Sequence, residues 1–252
     1  MSMMGTPELD IEGAVARITL RRPAQANRLE PDDLVVLAQH IATVDARPEV
    51  LVLVLQSEGS YFCSGYDISR IGASSHAVAF DEVINALEDC RPVTVAVLQG
   101  SVYGGATDMA LACDFRVGAQ AIDMFMPAAR LGLHFYPRGL ERYVTRLGLD
   151  NAKRLFLTAE RIDAEEMKRI GFLTHLAQPD ALHEAAQRLV ATLSGMAPIP
   201  LLGMKKHLNR IARGTLDLAA LHEDMARAAA SADLREGQAA WAEKRPPRFT
   251  GL

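Results

Sequence analysis

The sequence predicts an α/β core followed by an all-helical C-terminal region, and three observations carry that reading. Two unbroken apolar runs of strand length, Val50 to Leu55 and Val93 to Leu98, lack the polar alternation of a half-exposed strand. Both faces of each should therefore be buried, as in a parallel sheet covered by helices. Segments of helical spacing alternate with these runs, which is the order of an α/β fold. After about Gly148 the strand signal fades, and helical patterns succeed one another to Ala242.

In chain order, Ala14 to Leu20 alternates apolar and polar residues until Arg21-Arg22-Pro23 stops it, as in a strand leaving a hairpin. Pro31-Asp32-Asp33 opens a helix whose apolar positions are Leu34, Val35, Leu37, Ile41 and Val44, with acids in the first turn where the helix dipole favours them. A helix is expected from about Ala77 to Glu88, before the second buried strand, and another from about Gly105 to Ala112. Further helices are expected over Pro137 to Leu147, Asn151 to Leu157, Ala164 to Ile170, Ala181 to Leu193, Leu201 to Arg213, Leu216 to Ala229 and Leu234 to Ala242. Pro198 and Pro200 mark a joint, so the chain divides into a core of residues 1–195 and a helical region of residues 196–252.

Composition narrows the function. A chain of 252 residues with 49% hydrophobic residues and a net charge of −4 is neither disordered nor basic. A chain of this length buries roughly 70 to 75% of its unfolded surface, enough for one large core. The mild acidity supplies no basic stripe of the kind nucleic-acid binders use. No apolar stretch is long enough to span a bilayer, and residues 1–10 lack the features of a signal peptide. Cys63, Cys90 and Cys113 show no CxxC spacing, which suits a reducing compartment and a cytoplasmic location. The histidines show no metal-ligand pairing, so no metal is expected.

Two turns carry most of the chemical information: Ser60-Tyr61-Phe62-Cys63-Ser64-Gly65-Tyr66-Asp67-Ile68 and Gly100-Ser101-Val102-Tyr103-Gly104-Gly105-Ala106-Thr107-Asp108. Each places glycine just past a strand and before a helical segment, where backbone N–H groups can point into a common cleft. Fixed N–H dipoles there would stabilise an oxygen on which negative charge develops. Neither turn is a Walker A loop, a GxGxxG fingerprint or a nucleophile elbow.

These turns, together with Arg22-Pro23, Ala26-Asn27-Arg28-Leu29, the continuation Met109-Ala110-Leu111-Ala112-Cys113-Asp114, and the ending Asp233-Leu234-Arg235-Glu236-Gly237 with Trp241, Lys244-Arg245-Pro246-Pro247 and Phe249, resemble the crotonase superfamily of enoyl-CoA hydratases and isomerases. The resemblance runs the length of the chain. It implies a spiral of ββα units, a helical C-terminal region that mediates trimer formation, often with trimers paired into hexamers, and an acyl-CoA thioester substrate. No cofactor is implied beyond the coenzyme A of the substrate itself.

Carried over by position, the resemblance implies an oxyanion hole formed by the N–H groups of Tyr66 and Gly105. Ala26, Arg28, Gly65, Asp67, Ile68, Gly104 and Lys244 would bind the thioester and its CoA portion, with Arg245 an alternative to Lys244. Of the two glutamates that hydratases use, the first position holds Asp108 and the second, after Pro127, holds Ala128. A third acid position of the family holds Tyr136. Asp108 is therefore the expected proton-transfer residue, with His134 and Tyr136 as further candidates, Glu141 on a solvated helix face and Cys63 structural. Three readings follow: a lyase or isomerase using Asp108; an isomerase, decarboxylase or thioester hydrolase using His134 and Tyr136; or an acyl-CoA-binding protein without catalysis.

Overall fold

The computed structural model describes residues 5–67, 69 and 77–252. Its larger sheet has six strands, β1 (Glu8–Glu12), β2 (Val15–Leu20), β3 (Val52–Ser57), β5 (Val93–Leu98), β7 (Phe115–Ala119) and β10 (His175–Ala177), lying side by side in that order. β1 and β2 form the antiparallel hairpin, and every other neighbouring pair is parallel. Val52, Leu53, Val54 and Leu55 of β3 and all six residues of β5 are buried. Each such Val or Leu contributes about 1.5–3 kcal/mol relative to exposure, so these runs must sit at the sheet centre.

A smaller sheet holds β4 (Tyr61–Cys63), β6 (Ser101–Tyr103), β8 (Asp123–Phe125) and β9 (Ile162–Asp163) in that order. Strand pairs of the two sheets recur along the chain, with β3 leading to β4, β5 to β6 and β7 to β8. Helices α1 (Pro31–Asp45), α2 (Phe80–Asp89) and α3 (Gly105–Ala112) complete the repeat. The second sheet escaped the sequence reading because three of its strands have three residues and one has two, too short for periodicity to register. For the same reason β9 and β10 lie beyond Gly148, where helices alone were expected.

α4 (Pro137–Leu147), α5 (Leu149–Thr158), α6 (Ala164–Arg169) and α7 (Leu182–Ser194) follow, then α8 (Pro198–Ala212), α9 (Leu218–Ala230) and α10 (Ala232–Glu243). α2 begins at Phe80, three residues later than expected, with Glu82 accepting the Ala79 N–H in a capping interaction. The division at residue 195 falls between α7 and α8. α8 is tied to the core by Lys205, whose ammonium lies 3.0 Å from the Asp114 carboxylate, and by Asn209, which donates to the Glu88 carbonyl at 3.2 Å. Among the described residues no helix is long and apolar enough to cross a membrane.

Candidate active site

The turn after β4 is stitched to residues 26–29 and packs closely against the turn after β6. Ser64 N–H donates to the Ala26 carbonyl at 2.9 Å, Leu29 N–H to Gly65 at 2.9 Å, and Asp67 N–H to Leu29 at 3.0 Å. Asn27, 1% exposed, holds that segment in place by donating to the carbonyls of Glu58 and Tyr61, each at 2.8 Å. Gly65 adopts φ +97°, and a Cβ there would lie 2.9 Å from the Tyr103 carbonyl oxygen and 3.2 Å from Gly105 N. Only glycine allows the first turn to approach the second this closely.

Gly104 caps α3 with φ +56°, leaving Gly105 as the first helical residue, whose N–H has no acceptor within the helix. The carbonyl of Gly104 receives both the N–H of Thr107, at 3.0 Å, and its hydroxyl, at 2.6 Å. The Tyr143 hydroxyl of α4 bonds to Thr107 Oγ1 at 2.5 Å. A ladder of buried hydrogen bonds thus holds the Gly105 N–H at the helix N-terminus.

Both turns open on a cavity of about 790 Å³, whose lining includes Arg28, Gly65, Tyr66, Asp67, Phe80, Asp81, Gly104, Gly105, Ala128, Arg130, His134 and Tyr136. Much of the wall is aromatic. Phe80 packs against Tyr66 and Tyr136 with ring centroids 5.8 and 6.2 Å apart, and a Cβ at Gly105 would meet its ring at 2.7 Å. Tyr136 also stacks on Phe135 at 4.4 Å. At the rim, Arg28 lies 3.6 Å from the Asp67 carboxylate and 3.3 Å from that of Glu30.

The structure places Asp108 behind the cavity wall. It is fully buried and is not part of the cavity lining, because its position three residues into α3 points it at α4 rather than into the cleft. Arg142 grips it with both arms, Nε donating to Oδ1 at 3.0 Å and Nη2 to Oδ2 at 2.9 Å. Tyr136, which does line the cavity, donates its hydroxyl to Asp108 Oδ2. Burial and the neighbouring Asp108 charge push the Tyr136 phenol well above its usual range, so it stays protonated at neutral pH.

His134 is exposed at the cavity and its Nδ1 lies 2.8 Å from the Phe135 carbonyl. Glu141 faces away, toward α8. Cys63 donates its thiol to the Asn27 carbonyl at 2.9 Å, and burial pushes it up to about 12, which removes it as a nucleophile. Lys244 caps the end of α10 outside the cavity of its own chain, and Arg245 is bound to Glu236 at 2.6 Å. Ile68 lies outside the described residues. Phe80, Asp81, Glu88 and Arg142 were missed. Asp81 looks like an ordinary first-turn acid, whereas the four-residue spacing of Arg138, Arg142 and Arg146 does mark one helix face. Among the described residues no three His, Cys, Asp or Glu side chains gather as a metal site.

The family profile described as enoyl-CoA hydratase/isomerase matches residues 10–252. The chain belongs to the enoyl-CoA hydratase/isomerase family. It is 28% identical over 246 residues to a short-chain enoyl-CoA hydratase of Clostridium acetobutylicum, covering 94% of each chain. It is 26% identical to a peroxisomal Δ(3,5)-Δ(2,4)-dienoyl-CoA isomerase of Arabidopsis thaliana, covering 96% of this chain and 94% of that one. The crystal structure of an enoyl-CoA hydratase from Bacillus anthracis superposes with a TM-score of 0.87 at 26% identity, over 98% of this chain and all of the other. The expected crotonase fold is thereby shown for this enoyl-CoA hydratase/isomerase family member.

Proposed function

We propose that this family member binds an acyl-CoA thioester with its carbonyl oxygen between the N–H groups of Tyr66 and Gly105, and moves a proton on the resulting enolate through Tyr136. The observation that carries this is Tyr136, a side chain of the cavity wall whose hydroxyl donates to the buried Asp108 carboxylate. Asp108 is then reached from the substrate only through Tyr136. A proton leaving one substrate carbon passes to the Tyr136 oxygen as that oxygen's own proton moves to Asp108. The reverse step delivers a proton to a second carbon, so none is gained or lost over the cycle. Charge accumulating on the thioester oxygen meets two fixed dipoles, each worth about 3–4 kcal/mol in comparable sites.

A single relay suits double-bond isomerisation better than hydration, which needs one group to activate water and another to serve the carbon. The Ala128 side chain supplies no second carboxylate at the wall. Hydration is the alternative, favoured by Asp81, which also lines the cavity. Ala26 and Arg28 flank the CoA entrance in this reading, with Lys244 contributed by a neighbouring subunit. No cofactor is used beyond the substrate's own coenzyme A. Exposed Met204, Leu208, Ile211, Leu218, Met225 and Trp241 on α8, α9 and α10 support a homotrimer or a dimer of trimers. The buried free thiols accord with a reducing, cytoplasmic setting.

The test follows conjugated absorbance with two substrates, a short 3-enoyl-CoA, where isomerisation raises it, and a short 2-enoyl-CoA, where hydration lowers it. Isomerisation should exceed hydration, and Tyr136→Phe should lower it on the order of 10²–10⁴-fold, the usual share of a general acid–base group. Hydration that survives Tyr136→Phe and falls with Asp81→Asn would replace this reading with the alternative.

A further inference from the structure

The Asp108 carboxylate that holds Tyr136 is itself one link of a longer chain of buried ion pairs. Arg142, 2% exposed, donates from Nη1 to Glu88 at 2.7 Å and from Nη2 to Asn85 at 3.2 Å, besides its two bonds to Asp108. Glu88, 5% exposed, also receives Arg138 and Arg146 from the same face of α4. Arg213, just past α8, lies 3.4 Å from Glu88 and pairs with Asp89. The chain runs from the cavity wall through α3, α4 and α2 to the C-terminal helices.

We propose that Arg142 and Glu88 are positioning residues for the Tyr136 hydroxyl, acting through Asp108, with Arg213 anchoring the far end from α8; this rests on the role given to Tyr136 above. The geometry leaves each member little freedom. Both oxygens of Asp108 are held by Arg142, so the carboxylate cannot rotate away from Tyr136. Arg142 is locked in turn by Glu88 and Asn85. The Tyr136 ring is clamped between Phe135 and Phe80, which leaves its hydroxyl direction to be set by Asp108. A buried ion pair is weak evidence for stability, since apolar side chains of similar volume often serve as well. A chain of such pairs ending on a phenol in the cavity is explained by placing that phenol. Arg142 also balances charge: its guanidinium opposes the upward push that Asp108 exerts on the Tyr136 proton.

The experiment is a double-mutant cycle on turnover of a short 3-enoyl-CoA by the full-length chain, using Arg142→Lys, Tyr136→Phe and both together. Acting through Tyr136, Arg142→Lys should lower kcat on the order of 10²-fold, as ångström-scale misplacement does. KM should stay within about twofold, and no further loss should appear in the Tyr136→Phe background. Glu88→Gln, nearly isosteric, should show a smaller kcat loss with the same dependence on Tyr136, which keeps the test open if Arg142→Lys does not fold. A second readout needs no turnover. The tyrosinate absorbance of the protein minus that of its Tyr136→Phe variant should rise at a shifted pH once Arg142→Lys or Glu88→Gln changes the hold on Asp108. Losses that multiply in the double variant, together with an unmoved Tyr136 titration, would overturn the positioning role alone. An unchanged kcat in Tyr136→Phe itself would overturn the underlying functional reading.

Discussion

One wall of the cavity is backbone and the other is side chain. At the Gly65 and Gly104–Gly105 turns the proposed chemistry resides in N–H groups, and the residues are suited by what they lack, a Cβ that would strike Tyr103 or Phe80. Opposite them, the proposed role of Tyr136 rests on what it has, a hydroxyl bonded to Asp108 with Arg142 and Glu88 behind it. The backbone wall takes its shape from glycine conformation and is held from residues 26–29 and by the Tyr143–Thr107 contact. The side-chain wall is fixed by partners 28 to 54 positions away in sequence. The first wall is held chiefly by main-chain bonds, the second by buried charged partners.

Substitutions that break the side-chain wall should therefore act on stability as well as catalysis. Arg142→Ala leaves Asp108 and Glu88 buried without their shared partner, and should cost about 3–5 kcal/mol in denaturant unfolding, the largest effect expected in the molecule. Gly65→Ala attacks the backbone wall, pressing a methyl onto Tyr103 and Gly105. It should lower kcat/KM by about 10²–10³-fold, the loss of one oxyanion donor, at smaller cost to stability. If Gly65→Ala unfolded the protein as readily as Arg142→Ala, the distinction between the walls would fail.

A third expectation concerns pH. Burial, joined at Tyr136 by the Asp108 charge, holds the phenols of Tyr136 and Tyr143 above the usual value near 10, so the folded chain keeps protons that the unfolded chain releases. Above that pH the unfolded state binds fewer protons, and stability falls as pH rises, by about 1.4 kcal/mol per pH unit for each retained proton. Tyr136→Phe should flatten the alkaline slope by one proton's worth, measured by unfolding between pH 10 and the alkaline limit. The smallest effect should come from Cys63→Ser, which keeps the bond to the Asn27 carbonyl. Turnover should remain within about twofold, and a larger loss would return the thiol to the mechanism.

The same contrast explains what was legible in the sequence. β3 and β5 were plain because runs buried on both faces are apolar without interruption, and the glycine turns were plain because positive φ and close approach demand glycine. Asp108 was found, but its position behind Tyr136 was not legible. A carboxylate in the first turn of a helix has one sequence signature whether it faces a substrate or an arginine, and only the position of Arg142 on α4 decides. The arginine spacing at 138, 142 and 146 was visible, but its meaning depends on Glu88 fifty-four positions before Arg142. Lys244 was expected at the CoA site from the family's pattern, yet α10 carries it away from its own chain's cavity. The short strands of the second sheet were silent because two or three residues carry no period.

The central claim is that a thioester oxygen sits between the two turns while its reacting carbons face Tyr136. A crystal structure with bound butyryl-CoA tests it most directly. The account predicts the carbonyl oxygen about 2.7–3.1 Å from both Tyr66 N and Gly105 N, with the Tyr136 hydroxyl the nearest proton-bearing group to the α-carbon. A carbonyl oxygen bound away from either nitrogen, or an α-carbon facing His134 or Asp81 instead of Tyr136, would contradict it.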